Sequence, residues 1–170
     1  VMGVGAAPDG TLCGGTAFPM RFFSFDPKTD RLINRKAYGQ WNTIAVHGDR
    51  FFVGGYPSGY LLEWDPSKPW VDTVRDNPAS NPCFLTQISP VIHRPHRLLA
   101  ISDGRTVVMG GTPQYGYTGG GLLIWDRATS SQIVLEDRDL IPDQSVMSLV
   151  ELPEGMLLAG TTTQPGTGGE

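Results

Sequence analysis

Helix-forming stretches are what this 170-residue sequence most lacks. It carries 22 glycines and 14 prolines, about a fifth of the chain against roughly 12% in an average protein. So much punctuation excludes long helices and favours short strands joined by tight turns. Charge is also sparse: 18% of residues, with a net charge of −4. A mildly acidic chain has no general attraction for polyanions, which sets aside nucleic acid and anionic membranes as partners. No apolar run reaches membrane-spanning length, and Val1-Met2-Gly3-Val4-Gly5 lacks the basic start of a signal peptide. Opening at Val1 rather than at Met points to a processed chain or an excised piece. The two cysteines, Cys13 and Cys83, have no CxxC spacing. They are read as unpaired, buried thiols, neither a disulfide nor a metal site, and they leave the compartment open.

What the chain does have is repetition. Gly54-Gly55-Tyr56-Pro57 leads to Tyr60-Leu61-Leu62-Glu63-Trp64-Asp65-Pro66. Upstream, Gly14-Gly15 leads through Phe18-Pro19 to Phe25-Asp26-Pro27; downstream, Gly110-Gly111-Thr112-Pro113 leads to Leu122-Leu123-Ile124-Trp125-Asp126. Ala159-Gly160-Thr161 opens a fourth copy. Ahead of each Gly pair lie two apolar segments separated by Asp9-Gly10, Gly48-Asp49, Asp103-Gly104 or Glu154-Gly155. Short apolar runs around such a pair read as β-hairpins. The third strand of each complete unit ends in Asp, whose carboxylate accepts backbone N–H groups in a tight turn. A fourth strand is expected at residues 31–35, 71–75 and 132–136.

Four antiparallel strands per unit is the pattern of a propeller blade. The spacings of 40, 56 and 49 residues between Gly15, Gly55, Gly111 and Gly160 suit blade repeats of roughly 40 to 50 with loop insertions. The units resemble the broad β-propeller group that includes WD40-like, kelch-like and quinoprotein-like repeats. Asp143-Gln144-Ser145-Val146-Met147-Ser148-Leu149 with Glu154-Gly155 and Ala159-Gly160-Thr161 is also similar to the two-component-regulator type of repeat. The Gly-His pair of the WD40 pattern is not found. The resemblance implies an all-β, partial propeller over residues 1–170, with blades at about 1–40, 41–90, 91–142 and a truncated 143–170. Three and a half blades are too few to close, and open strand edges invite pairing. The rest of the propeller, or a second chain, is therefore an expected partner.

Strand order sorts the loops onto two faces. One face gathers residues 17–21, 56–60, 113–121 and 161–169, with the blade entries at 40–42, 90–97 and 142–145. Its richest segment is Val91-Ile92-His93-Arg94-Pro95-His96-Arg97. Two imidazoles and two guanidiniums there suit an anionic ligand, or a base beside a charge-neutralising Arg. The plainer reading is a solvated polar linker. Pro95 holds Arg94 extended, and an offset of three along extended chain points side chains to opposite faces. His93 and His96 are therefore not expected to chelate one metal ion, and His47 lies on the other face. Tyr56, Tyr60, Tyr115, Tyr117 and Trp41 are aromatic surfaces for sugar rings or bases, or else packing between blades. Arg21 joins this set as a rim charge.

The run Gly119-Gly120-Gly121 lacks the strand–loop–helix setting of a phosphate cradle, and no G-x-S-x-G nucleophile turn is present. The sequence specifies no cofactor. Two functional readings stay open. One is a non-catalytic module binding a carbohydrate or protein partner through the loop face, at His93, Arg94, His96, Tyr56, Tyr115, Tyr117, Trp41 and Arg21. The other is part of a propeller enzyme acting on carbohydrate, such as a polysaccharide lyase, in which His or Tyr removes a proton while Arg or a metal neutralises a uronate carboxylate.

Overall fold

Five aspartates start the tight turns. In the computed structural model, which describes residues 1–163, Asp9, Asp26, Asp65, Asp103 and Asp126 each accept a hydrogen bond from the backbone N–H two residues on. This is the Asx turn, in which a short carboxylate stands in for a backbone carbonyl and reverses the chain.

Between the turns, the described residues form three four-stranded antiparallel sheets and one hairpin. The first sheet is β1 (Gly3–Ala6), β2 (Leu12–Thr16), β3 (Arg21–Asp26) and β4 (Arg31–Lys36). The second is β5 (Gln40–His47), β6 (Arg50–Tyr56), β7 (Tyr60–Trp64) and β8 (Cys83–Gln87). The third is β9 (Arg94–Ala100), β10 (Thr106–Thr112), β11 (Gly121–Asp126) and β12 (Ser131–Glu136). The hairpin pairs β13 (Ser145–Glu151) with β14 (Leu157–Thr162). Strands pair in chain order within every sheet, and β1, β5, β9 and β13 lie beside one another in succession. Helix among the described residues amounts to one turn, Asp137–Leu140, and a 3-10 turn, Pro153–Gly155.

The core lies between sheets and is built from rows. Residues opposite each other in antiparallel strands share a face. In the second sheet the register aligns Ile44, Val53, Leu62 and Phe84 across all four strands, and this row packs toward the first sheet with Phe22 and Trp41. In the third sheet Leu98, Met109, Leu123 and Val134 form the corresponding row, packed toward the second with Phe52 and Leu61. Trp64, opposite Phe51, and Trp125, opposite Val107, extend these rows. Both indoles are buried, at 5% and 6% exposure.

The recurring Gly pair has a packing reason. A Cβ on Gly15 would fall on the Cβ of Trp41, and one on Gly110 on Val146. Each contact comes from the first strand of the next sheet, so glycine lets consecutive sheets approach.

Two strand expectations need correction. The fourth strand of the second unit is not residues 71–75 but Cys83–Gln87. Val71 makes only an isolated bridge to Asn81. Residues 66–82 form an insertion plugged by the Asn81 side chain, which accepts from the N–H of Asp65 and donates to the carbonyls of Asp65, Lys68 and Pro69. Pro66, Pro69, Pro78 and Pro82 provide no N–H for a ladder. Phe25, expected to be buried like Trp64 and Trp125, is only half-buried, because its face of the first sheet meets no other described sheet. Phe22, on the opposite face, is fully buried among Trp41, Trp64 and Trp70.

Candidate functional site

The end of β6, the start of β9 and the loop after β10 meet at one end of the second and third sheets. Segment 88–93 is laced to the turn 58–59: Gly59 N–H donates to the His93 carbonyl, and Ile88 and Ser89 N–H groups donate to Gly59 and Ser58. The His93 N–H donates to Thr112 at the end of β10. His93 is thereby fixed between two tyrosines. Its ring centroid is 5.1 Å from that of Tyr56 and 5.8 Å from that of Tyr115, both edge-on.

Arg94 completes the group. Its guanidinium carbon lies 4.6 Å over the Tyr56 ring, a cation–π arrangement, and its Nη2 donates to the Tyr115 hydroxyl at 3.4 Å. The two tyrosine hydroxyls are 3.3 Å apart. Arg50, Arg105, Arg127 and Arg138 each face a carboxylate. No carboxylate among the described residues pairs with Arg94, which in this resembles Arg35 over Trp70 and Arg75 over Phe84.

The backbone decides the state of His93. The Ser58 N–H points at Nδ1 at 3.3 Å, and an N–H aimed at a ring nitrogen requires a lone pair there. The proton of the neutral ring therefore sits on Nε2. Ser89 Oγ lies 3.1 Å from the same Nδ1 and 3.1 Å from Gln114 Oε1, two acceptors that share its single hydroxyl proton. Burial, and then the adjacent Arg94 charge, push the His93 pKa down. The Tyr56 pKa is raised, first by its hydrogen bond with Tyr115. The group is rich in donors and poor in bases.

His96 does not join it. Its Nε2 lies 3.2 Å from Thr112 Oγ1, so the two imidazoles go to different partners. Tyr117 is exposed on the same loop, its N–H donating to Gln114. Arg21 is exposed at the start of β3 and makes none of these contacts. Trp41 and Tyr60 lie elsewhere: both are 1% exposed, in the core between the first and second sheets. Of the 161–169 loop, residues 164–169 lie outside the described residues. Ser58, Ser89 and Gln114, which orient His93, are absent from the sequence-derived set. The one signal for Ser58 and Gln114 is that they occupy loops assigned to this face; Ser89 stands one residue ahead of the 90–97 entry.

All three histidines are harder to protonate in the folded chain. Burial is the main cause at His47, His93 and His96, with Arg127 adding to it at His47 and Arg94 at the other two. His47 is 8% exposed and neither ring nitrogen has a hydrogen-bond partner among the described residues. Below the ordinary imidazole value of 6.5, the unfolded chain therefore binds more protons than the folded one, and stability falls as pH falls. Thermal unfolding is expected to give a flat Tm above neutrality and a decline below 6.5. His47→Phe should flatten part of that decline. A second loss follows in acid, as pH drops through 3.8 and below, because hydrogen bonds from the Thr29, Ser67 and Arg105 side chains, and then from turn N–H groups, hold the Asp26, Asp65 and Asp126 carboxyls low. A Tm unchanged between neutral pH and the acid window would contradict the burial of the imidazoles.

No family model matches this sequence, and no curated protein matches it. Among solved structures, the chain is similar to Kuenenia stuttgartiensis hydrazine synthase, with a TM-score of 0.64 at 16% identity, over 90% of this chain and 41% of that one. The chain thus spans well under half of that longer chain. At this identity the likeness concerns fold alone: a β-rich architecture of repeated antiparallel sheets.

Proposed function

We propose that the chain is an arc of a β-propeller, and that the end carrying His93, Arg94, Tyr56 and Tyr115 binds an anionic ligand without catalysis, an acidic saccharide being the class it suits. The observation that carries this reading is Arg94, held on the Tyr56 ring beside the Tyr115 hydroxyl with no carboxylate among the described residues to neutralise it. A guanidinium fixed in that way offers its donors to a carboxylate or sulfate. Tyr115 and Tyr117, 47% and 52% exposed, add flat apolar surface for a sugar ring. His96, Trp41 and Arg21 have no part in it.

The lyase alternative needs a base close to its neutralising Arg. His93 is the nearest imidazole, but its Nδ1 lone pair is taken by the Ser58 N–H. Tyr56 is shifted away from the phenolate form. Both features support binding over proton abstraction.

Calorimetry with acidic oligosaccharides, and with neutral ones of the same length, tests this. The acidic series is expected to bind and the neutral series not. Arg94→Ala should weaken binding by about tenfold or more, in line with about 1.5–3 kcal/mol for a hydrogen bond to a charged group. Tyr115→Ala should weaken it as well. Equal binding of both series, or unchanged affinity in Arg94→Ala, would refute the reading. Release of an unsaturated product, seen as new ultraviolet absorbance, would favour the lyase.

A further inference from the structure

We propose that this site takes up a proton together with its anionic ligand, and that Ser89 is the positioning residue that admits the proton to His93. The inference deepens the binding reading above and rests on it. It starts from a hydroxyl with more acceptors than protons. Ser89 Oγ lies 3.1 Å from His93 Nδ1 and 3.1 Å from Gln114 Oε1, and a serine hydroxyl has one proton to donate. While the ring is neutral, Nδ1 already receives the Ser58 N–H at 3.3 Å. When the Ser89 proton goes to Gln114, oxygen and Nδ1 therefore face each other as lone pair to lone pair.

A proton taken from solvent onto Nδ1 removes that shortage. Nδ1–H donates to Ser89 Oγ, which keeps its own proton and gives it to Gln114 Oε1. The loss falls on Ser58, whose N–H then faces a donor. Ring and hydroxyl hang on one turn: the Ser89 N–H donates to the Ser58 carbonyl and the Gly59 N–H to the His93 carbonyl. The exchange of partners therefore needs no shift of backbone.

Electrostatics couples this exchange to the ligand. From other elements the ring is faced by Tyr56 of β6 and, after β10, by Tyr115, with Gln114 reached through Ser89. All are uncharged at neutrality. Arg94 is the one charge that acts on the ring among the described residues, and burial and that guanidinium keep the free ring neutral. An anion beside Arg94 reverses the balance, because it offsets the guanidinium and attracts an imidazolium. The ligand then raises the proton affinity of His93, and by linkage the proton raises affinity for the ligand by the same factor.

Calorimetry on the full chain with a sulfated oligosaccharide, whose charge does not titrate in this range, tests the proposal. It is run near neutrality and below the ordinary imidazole value of 6.5, in buffers of different ionisation enthalpy that count the protons taken up. Binding is expected to tighten by about tenfold at the lower pH, the change that accompanies a rise of about one in the His93 pKa. His93→Gln should abolish the uptake, which separates this ring from His47 and His96. Ser89→Ala should erase most of the pH dependence, because nothing then accepts from Nδ1–H. Ser89→Thr, which keeps the hydroxyl, should restore it. Nitrogen NMR of the free chain is expected to show Nδ1 unprotonated near neutrality, and the His93 titration displaced to lower pH in Ser89→Ala. Equal affinity at both pH values with no proton uptake overturns the coupling and leaves the ligand reading standing. Full pH dependence in Ser89→Ala, or a His93 titration that this substitution does not move, overturns it as well. Absence of binding at both pH values overturns the two readings together.

Discussion

Trp64→Ala is expected to destabilise the chain by about 3–5 kcal/mol, the range for removing a large aromatic side chain from a packed core. The indole is 5% exposed. It packs edge-on against Phe22, centroids 5.1 Å apart, and Phe51, 5.8 Å apart, with Trp70 at 6.1 Å. These rings come from the first sheet, its own sheet and the 66–82 insertion, so the cavity opens where three segments converge. None of them is free to collapse into it alone. Truncation strands no hydrogen-bond partner among the described residues, where the Trp64 Nε1–H has none, and the cost is that of lost packing. Denaturant titration measures it. A loss under about 1 kcal/mol, as at ordinary surface positions, would mean that the first and second sheets do not pack through this row. Trp64→Phe, which retains a ring, should cost distinctly less.

Turn chemistry was the most legible part of the fold. Asp9, Asp26, Asp65, Asp103 and Asp126 announce their reversals because the Asx turn is local: two residues and one carboxylate suffice. The Gly pairs were equally visible, though their reason lies in the next sheet and not in their own strand. What escaped depends on register. Phe25 shares its sequence position with Trp64 and Trp125, immediately before Asp, and shares their side of the sheet. Its exposure depends on a neighbour, which no local pattern encodes. The stretch 71–75 reads as a strand by composition, yet Asn81 closes the insertion through four hydrogen bonds to residues 12 to 16 positions away. A side chain acting at that range leaves no periodic trace.

The site was legible to the same degree. Alternation of loops was enough to bring His93, Arg94, Tyr56 and Tyr115 to one end of the sheets, because that follows from strand order alone. It did not separate Trp41 and Tyr60 from the other aromatics. Both sit at or just inside the start of a strand rather than in the loop, where the pleat turns them into the core. Nor did it find Ser58, Ser89 and Gln114. Their role rests on distances near 3 Å to one imidazole nitrogen or to each other, a precision that loop assignment lacks.

Gly59→Ala is expected to cost about 2–5 kcal/mol and to abolish ligand binding as well, the sum of two separate effects. Gly59 has φ +57, a left-handed conformation that costs a non-glycine residue roughly 1–2 kcal/mol. It is also wedged against the neighbouring sheet's entry segment. A Cβ there would fall on the carbonyl oxygen of Ile92, a backbone atom that cannot swing aside, and overpacking of this kind adds about 1–3 kcal/mol. Relief requires residues 88–93 to move away from the 58–59 turn. That breaks the bonds from Gly59 N–H to His93 and from Ile88 N–H to Gly59. His93 and Arg94 then leave their places beside Tyr56, so one methyl group reaches both stability and the site. Gly10→Ala separates the two causes. Gly10 has φ +85, and a Cβ there would meet nothing within 4 Å, so only the conformational cost applies and binding should be unchanged. Equal losses in the two variants would mean that the second and third sheets do not meet at Gly59, and the assembly of the site from their loops would fall with that contact.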